Sequence, residues 1–321
     1  MALTKTTLGT NSVRIDYTNQ NTMSEIMNAM HDEITVKGWT DVDGEWWVSG
    51  SYPMVRTYSH VNEDGVSKKY LQLRYQYQAS PAKYLISTQV FFDYVAATKT
   101  GTAFKRSEIG NGPSALVVNL PTYGGYIIMS TNPRWCLIHS SSANGQIGTD
   151  AGYPSFIGVS EIKCAVPDDN YITYPNFAYL NGNHLLGPDA GNGVFSLGKS
   201  LSYTNHENNF LYTQCVCPLG CWGHQKSIAN QQLWVTISSY PNKVNSKNYL
   251  FDIGALIDTH NISEIYFKGN FYGVKIMNAS LGVLGDIVRA KCTADYMMDA
   301  NGTEKDFLIF PAGSYRWGVP A

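Results

Sequence analysis

Charge is what this sequence has least of. Asp, Glu, Lys and Arg make up 15% of the 321 residues, against roughly 25% in an average soluble domain. Twenty-three cations nearly balance 25 anions, for a net charge of −2, and there is no basic block. A nucleic-acid partner is therefore not expected, because phosphate binding needs clustered Lys and Arg. No apolar run approaches the ~18 residues of a membrane span. Residues 1–7, Met-Ala-Leu-Thr-Lys-Thr-Thr, lack the apolar core of a signal peptide. The expectation is a protein made in a cytoplasm, with no membrane partner.

The signatures of several chemistries are also missing. There is no Gly-x-Ser-x-Gly elbow for a serine nucleophile and no Gly-rich phosphate loop opening a helix. The Gly187–Gly193 segment reads as a plain loop, and Asp168-Asp169 sits in a loop after a proline. No pair of carboxylates is singled out for glycoside hydrolysis. Asp299, Asn301, Glu304 and Asp306 lack the spacing of a calcium loop, and a hairpin turn at Asp299-Ala300-Asn301-Gly302 is the better reading. No enzyme activity is expected, and no catalytic or cofactor-binding residue is assigned.

One cluster has the composition of a metal site. Cys215, Cys217, Cys221 and His224 offer three thiolates and an imidazole, the ligand types of tetrahedral zinc. The spacing is not that of a usual knuckle. Two other readings stay open, an apolar thiol-containing loop and a disulfide formed outside the cell. Cys136, Cys164 and Cys292 lie in β-like runs and read as small core residues.

What the chain has in quantity is aromatic and β-prone residues, with 22 Tyr, 12 Phe and 7 Trp. The stretch from Gly124 to Cys164 reads as the centre of the fold. Tyr126–Ser130 and Trp135–His139 flank a Thr131-Asn132-Pro133 turn, and a third run, Phe156–Ile162, follows a Ser/Asn/Gly loop. Upstream, Ser12–Tyr17 alternates like a strand. One helix is expected, from about Thr22 to Lys37. Ile26, Met27, Met30 and Ile34 share a face, Asn21 or Thr22 caps the start, and Gly38 sits just past the end.

Further strands are read at Trp46–Val48, Lys69–Tyr77, Tyr84–Ser87, Gln89–Phe92, Ala115–Val118 and Gln232–Ser238. Asn62-Glu63-Asp64-Gly65 marks a hairpin tip. In the last third, Ile262–Phe267 and Phe271–Ile276 are separated by a turn at Lys268-Gly269-Asn270. Leu284–Cys292 and Asp306–Phe310 complete a meander. The expected fold is mainly β, antiparallel and sandwich-like, with one N-terminal helix. Three regions are expected: 1–112 (α+β), 113–230 (β with long loops) and 231–321 (antiparallel β).

Three passages carry a resemblance: the helix ending in Gly38-Trp39, the Tyr126–Ile138 and Gly152–Glu161 segments, and the ending from Phe271 through Pro311. Taken together, the text resembles structural proteins of tailed bacteriophage virions, of the tail, neck or baseplate type. The resemblance implies a homo-oligomer that contacts other virion proteins and carries no catalytic residues. Low charge fits the same picture, since a subunit covered by neighbours has little need of charge repulsion. A receptor- or glycan-binding module on the virion surface is the alternative; Trp46, Trp47, Trp135, Trp222 and Trp234 could stack on sugars or line protein interfaces, although within β runs core packing is the first reading of a tryptophan.

Overall fold

The computed structural model describes residues 3–63, 65–79, 82–91, 93–101, 116–122, 124–140, 157–164, 176–181, 195–196, 211–217, 220–222, 249–259, 265–278, 287–292, 304–312 and 315–320. Strands β1 (Thr4–Thr7) and β2 (Ser12–Thr18) form an antiparallel pair ahead of helix α1 (Met23–Val36). The Thr22 hydroxyl accepts from the Glu25 N–H at 3.3 Å, and the Glu25 carboxylate accepts from the Thr22 N–H at 2.6 Å. This reciprocal box satisfies two donors that a helix start leaves open. Ile26, Met27, Met30 and Ile34 are fully buried, the face expected from their spacing. Each such side chain contributes about 1.5–3 kcal/mol by leaving water. Gly38, at φ +91°, turns the chain out of the helix. Trp39 then packs in the core, and its indole N–H donates to the Asn132 carbonyl at 2.8 Å.

A six-stranded antiparallel sheet follows. Its strands are β3 (Thr40–Asp41), β4 (Trp47–Ser49), β5 (Tyr52–Val61), β6 (Lys68–Ala79), β7 (Ala82–Phe91) and β8 (Leu116–Pro121), in the order β3-β5-β6-β7-β8 with β4 also on β5. The two runs expected at Tyr84–Ser87 and Gln89–Phe92 are one strand, β7. The β5–β6 tip is the expected Asn62–Gly65 turn, closed by the Gly65 N–H on the Asn62 carbonyl at 2.9 Å. Five successive β5 residues, Val55 to Ser59, are buried, so this strand is covered on both faces. Tyr58, Leu71, Leu73, Ile86 and Val90 face α1 and the second sheet. A polar layer built from residues 41–47 and 93–101 covers part of the other face.

The second sheet starts at β1-β2 and continues through β9 (Gly124–Asn132), β10 (Trp135–Ser140) and β11 (Ile157–Cys164). These last three are the strands expected as the centre of the fold, with the β9–β10 turn where Asn132-Pro133 was read. Val13, Ile15, Ile127, Met129, Cys136, Ile138, Ile157 and Val159 all join one core with α1 and the first sheet. Residues on either side of position 112 thus contribute to the same core. Sheet pairing likewise crosses that position, β2 with β9 and β7 with β8.

The sheet then passes through β12 (Phe177–Asn181), β13 (Phe195–Ser196), β14 (Leu211–Cys217), with β15 (Gly220–Trp222) alongside, to β16 (Tyr249–Thr259) and β17 (Ile265–Asn278). It ends with β18 (Ile287–Cys292), β19 (Glu304–Ala312) and β20 (Tyr315–Pro320). Two extra pairings close it into rings. β17 returns to β11, giving the circuit β11-β12-β13-β14-β16-β17. β16 meets β18 in parallel, giving the circuit β16-β17-β20-β19-β18. Both rings share the β16–β17 ladder. The turn expected at Lys268-Gly269-Asn270 is instead the middle of β17. Here the β16–β17 register shifts, and Gly269 has φ +149°. A bulge bends a strand without ending it, which lets β17 turn from β11 to β20 along one edge. The strand expected at Gln232–Ser238 lies outside the described residues.

Candidate functional site

Residues 41–47 read Asp-Val-Asp-Gly-Glu-Trp-Trp and wrap over the outer face of β5. The Asp43 side chain is completely buried. Its carboxylate accepts from the Thr57 N–H at 2.7 Å, the Trp47 indole at 2.9 Å, the Tyr94 hydroxyl at 3.0 Å and the Lys99 ammonium at 3.1 Å. Four donors use up the approximate capacity of a carboxylate, so all of Asp43's bonding is spent inside the subunit. Its work is structural: it joins β5, the 41–47 segment and the 93–101 strap. Burial pushes the Tyr94 phenol up to about 12.

Beside it, the Arg56 guanidinium bonds to Asp41, donates to the Gly44 carbonyl at 2.8 Å and lies over the Trp46 ring at 5.4 Å. Burial opposes ionisation of Asp41, but its bonds from Arg56 and the Gly44 N–H outweigh that and lower its pKa. Across Tyr58, His31 of α1 meets the phenol oxygen through Nδ1 at 3.1 Å. Burial, and then the Arg56 charge, lower the His31 pKa, so it is neutral at pH 7.

A second constellation joins the two sheets. Lys69 of β6 and Glu161 of β11 are an ion pair whose side chains are 0% and 3% exposed. Lys69 Nζ also donates to the Asn62 carboxamide oxygen at 3.1 Å and stands 5.2 Å from the Trp39 ring centre. The other Glu161 oxygen accepts from the Glu63 N–H at 3.3 Å. Burial raises the Glu161 pKa, with Lys69 acting against it. Above the pair, Arg134 holds Glu63 through two contacts at 2.7 and 3.1 Å. Tyr272 of β17 donates to Glu63, and its ring lies 4.2 Å under the Arg134 guanidinium. Three parts of the chain, the β5–β6 tip, the β9–β10 turn and β17, therefore meet over one buried charge pair.

The expected zinc set is only partly described. Cys215 pairs in register with Trp222, Val216 with Cys221, and Cys217 with Gly220. Opposed positions of a ladder share a face and neighbours alternate. Positions 215 and 217 thus fall on one face of the β14–β15 hairpin and position 221 on the other. His224 lies outside the described residues, as do Asp168-Asp169, Gly187–Gly193 and Asp299–Gly302. Among the described residues no group of three or more His, Cys, Asp or Glu is placed to hold a metal ion. Cys136 is a free, buried thiol pushed up to about 12 by burial.

Of the four tryptophans whose side chains are described, Trp39 and Trp135 are buried and Trp46 and Trp47 are half-buried, and each indole N–H is bonded within the chain. Trp39 donates to the Asn132 carbonyl, Trp46 to Asn28, Trp47 to Asp43 and Trp135 to Ser130.

The Asp43 and Lys69–Glu161 constellations were not anticipated from the sequence, although the second left a trace in it. Lys69, Leu71 and Leu73 alternate onto one face of β6, and Ile157, Val159 and Glu161 onto one face of β11. A lone charge at a core position on each of two strands, of opposite sign, is the pattern of a buried pair. Among the described residues no helix is long and apolar enough to cross a membrane. No protein-family model matches the chain, and no curated protein matches it.

Proposed function

We propose that this chain is a structural subunit of a phage virion, assembling with further copies of itself and with other virion proteins in the tail, neck or baseplate. The observation that carries the reading is the edge of the large sheet at β1, which no second strand covers among the described residues. β1 has β2 as its one strand partner among the described residues, and all four of its side chains, Thr4 to Thr7, are exposed. An edge of β-branched residues presents unpaired N–H and C=O groups to a neighbouring strand. The usual guard of such an edge, an outward lysine, is drawn aside here. Lys5 is held on α1 by Glu33 at 3.2 Å and Asp32 at 3.6 Å.

The polar chemistry supports the same reading. Asp43 and the Lys69–Glu161 pair are spent inside the subunit, where they hold segments together instead of facing a cleft. Trp39 and Trp135 are buried, and the Trp46 and Trp47 indoles are bonded to Asn28 and Asp43, which weighs against a sugar-stacking groove and leaves glycan or receptor binding as the second reading. Virion subunits of this kind close into rings through interfaces of roughly 2,000 Å² or more. The test is the native mass of the purified chain at micromolar concentration. A discrete ring-sized oligomer is the expected result. A monomer that also fails to associate with its virion neighbours overturns the proposal.

A further inference from the structure

Burying a lysine and a glutamate together rarely stabilises a fold more than two apolar side chains would. Asn62 gives the pair a second role. Asn62 is 4% exposed, and its side chain is fixed at both ends. The carboxamide oxygen accepts from Lys69 Nζ at 3.1 Å, and Nδ2 donates to the Ser67 hydroxyl at 2.8 Å. A primary amine, a carboxamide and a carboxylic acid thus meet at a single nitrogen atom. The Trp39 ring lies on one side and the Arg134–Glu63–Tyr272 cluster on another, and the Lys69 and Glu161 side chains are buried from solvent.

We propose that Lys69 and Asn62 condense into an intramolecular isopeptide bond, with Glu161 as the acid–base catalyst. The reaction is self-contained. In a site of low dielectric a neutral pair is favoured over a charged one, so Lys69 passes a proton to Glu161 and becomes a neutral nucleophile. The Nζ lone pair attacks Asn62 Cγ, and the carbonyl π pair moves onto Oδ1, where the Glu161 acid stabilises it. Glu161 then relays one of the remaining Nζ protons to Nδ2. The Cγ–Nδ2 bond breaks and ammonia leaves. Amine plus carboxamide has become a secondary amide plus ammonia, with no oxidant and no cofactor. Glu161 keeps the proton that Lys69 brought and ends as a neutral buried acid, in line with the direction in which burial moves its pKa. Holding both reactants within one hairpin replaces a bimolecular encounter with a unimolecular step.

The product closes a covalent ring through residues 62–69 at the β5–β6 tip, beneath the point where three parts of the chain meet. The inference stands on this geometry and is independent of the virion reading.

The test is mass spectrometry of the purified, folded full chain, intact and after trypsin. The expected result is an intact mass short by one ammonia. The digest should show Lys69 uncleaved, with the deficit mapped to the segment joining Asn62 and Lys69. E161Q, which keeps the side-chain volume, should restore the full mass and cleavage after Lys69. Full mass with normal cleavage in the folded wild-type chain overturns the proposal. So does a deficit of one water, which would bond Lys69 to Glu161. A loss of ammonia that maps to an Asn-Gly pair such as Asn301-Gly302 overturns it as well.

Discussion

Gly158 of β11 runs so close to β10 that a Cβ built on it would collide with the Cys136 carbonyl oxygen. Its φ of +153° is also one that side-chain-bearing residues rarely adopt. Two of the central strands can approach this closely only because position 158 is bare. Leu137 sits directly opposite Gly158, and both Leu137 and Cys136 are buried, so the backbone has no solvent side to shift toward. G158A is expected to lose about 3 kcal/mol or more, within the tail of mutational effects produced by core overpacking. G50A is the control. Gly50 has φ +55° and nothing near its would-be Cβ, so only the left-handed conformation is penalised, at about 1–2 kcal/mol. Urea denaturation of the two variants decides it, and equal losses would refute the close-approach argument.

Asp43 makes a second prediction. Removing its carboxylate with D43A leaves the Thr57 N–H, the Trp47 indole, the Tyr94 hydroxyl and the Lys99 ammonium without their shared acceptor. Stranding buried donors, one of them charged, is expected to cost about 3–5 kcal/mol. The loss should appear as a lowered denaturation midpoint together with altered Trp47 fluorescence. A cost below about 1 kcal/mol would mean that water replaces the carboxylate readily and that the strap is not anchored there.

Much of the core was legible in the text, and the reasons are physical. Ile26, Met27, Met30 and Ile34 repeat with the helix period, and Thr22 and Gly38 bracket them, so local chemistry and tertiary burial agree. Asn132-Pro133 announces the β9–β10 turn because proline cannot continue a central strand. The Lys268-Gly269-Asn270 passage misled because a glycine with positive φ serves a turn and a bulge equally well. Only the partner strands β16, β11 and β20 decide between the two, and the last two are distant in sequence. The Asp43 cluster was hidden for a related reason. Its donors come from positions 47, 57, 94 and 99, and nothing local to Asp43 reveals which strands the 41–47 segment lies across.

The histidines make a prediction about pH. Burial lowers the pKa of His31, with Arg56 adding to the effect and Asp41 and Asp32 opposing it. Burial also lowers that of His60, with Lys69 adding and the Val61 carbonyl opposing. A native pKa below the ordinary value of about 6.5 means that the unfolded chain binds more protons in that interval. Stability is therefore full above about pH 6.5 and falls as the pH drops from there toward the lowered native values. Urea midpoints at about pH 8 and pH 5 should fall more in the wild type than in H31N/H60N, whose amides keep a polar atom near each Nδ1 position without titrating. An identical fall in both proteins would place the pH sensitivity elsewhere.

The β1 edge makes the last prediction, and it tests the proposed function directly. If copies join by adding a strand to β1, charge on that edge should block assembly without harming the subunit. Thr4 and Thr6 are exposed, and neither side chain enters the core. T4K/T6K should therefore keep the wild-type denaturation midpoint to within about 0.5 kcal/mol. In native mass measurements it should shift the population from oligomer to monomer. Lys5 is already engaged by Glu33 and Asp32, so the new lysines would be the first on this edge to face outward. Retention of the oligomer in T4K/T6K would move the interface away from β1. It would leave the assembly reading to rest on other surfaces. Loss of folding in this variant would mean that β1 belongs to the subunit's own sheet more tightly than its exposure indicates, and deletion of residues 1–8 would then give the same result.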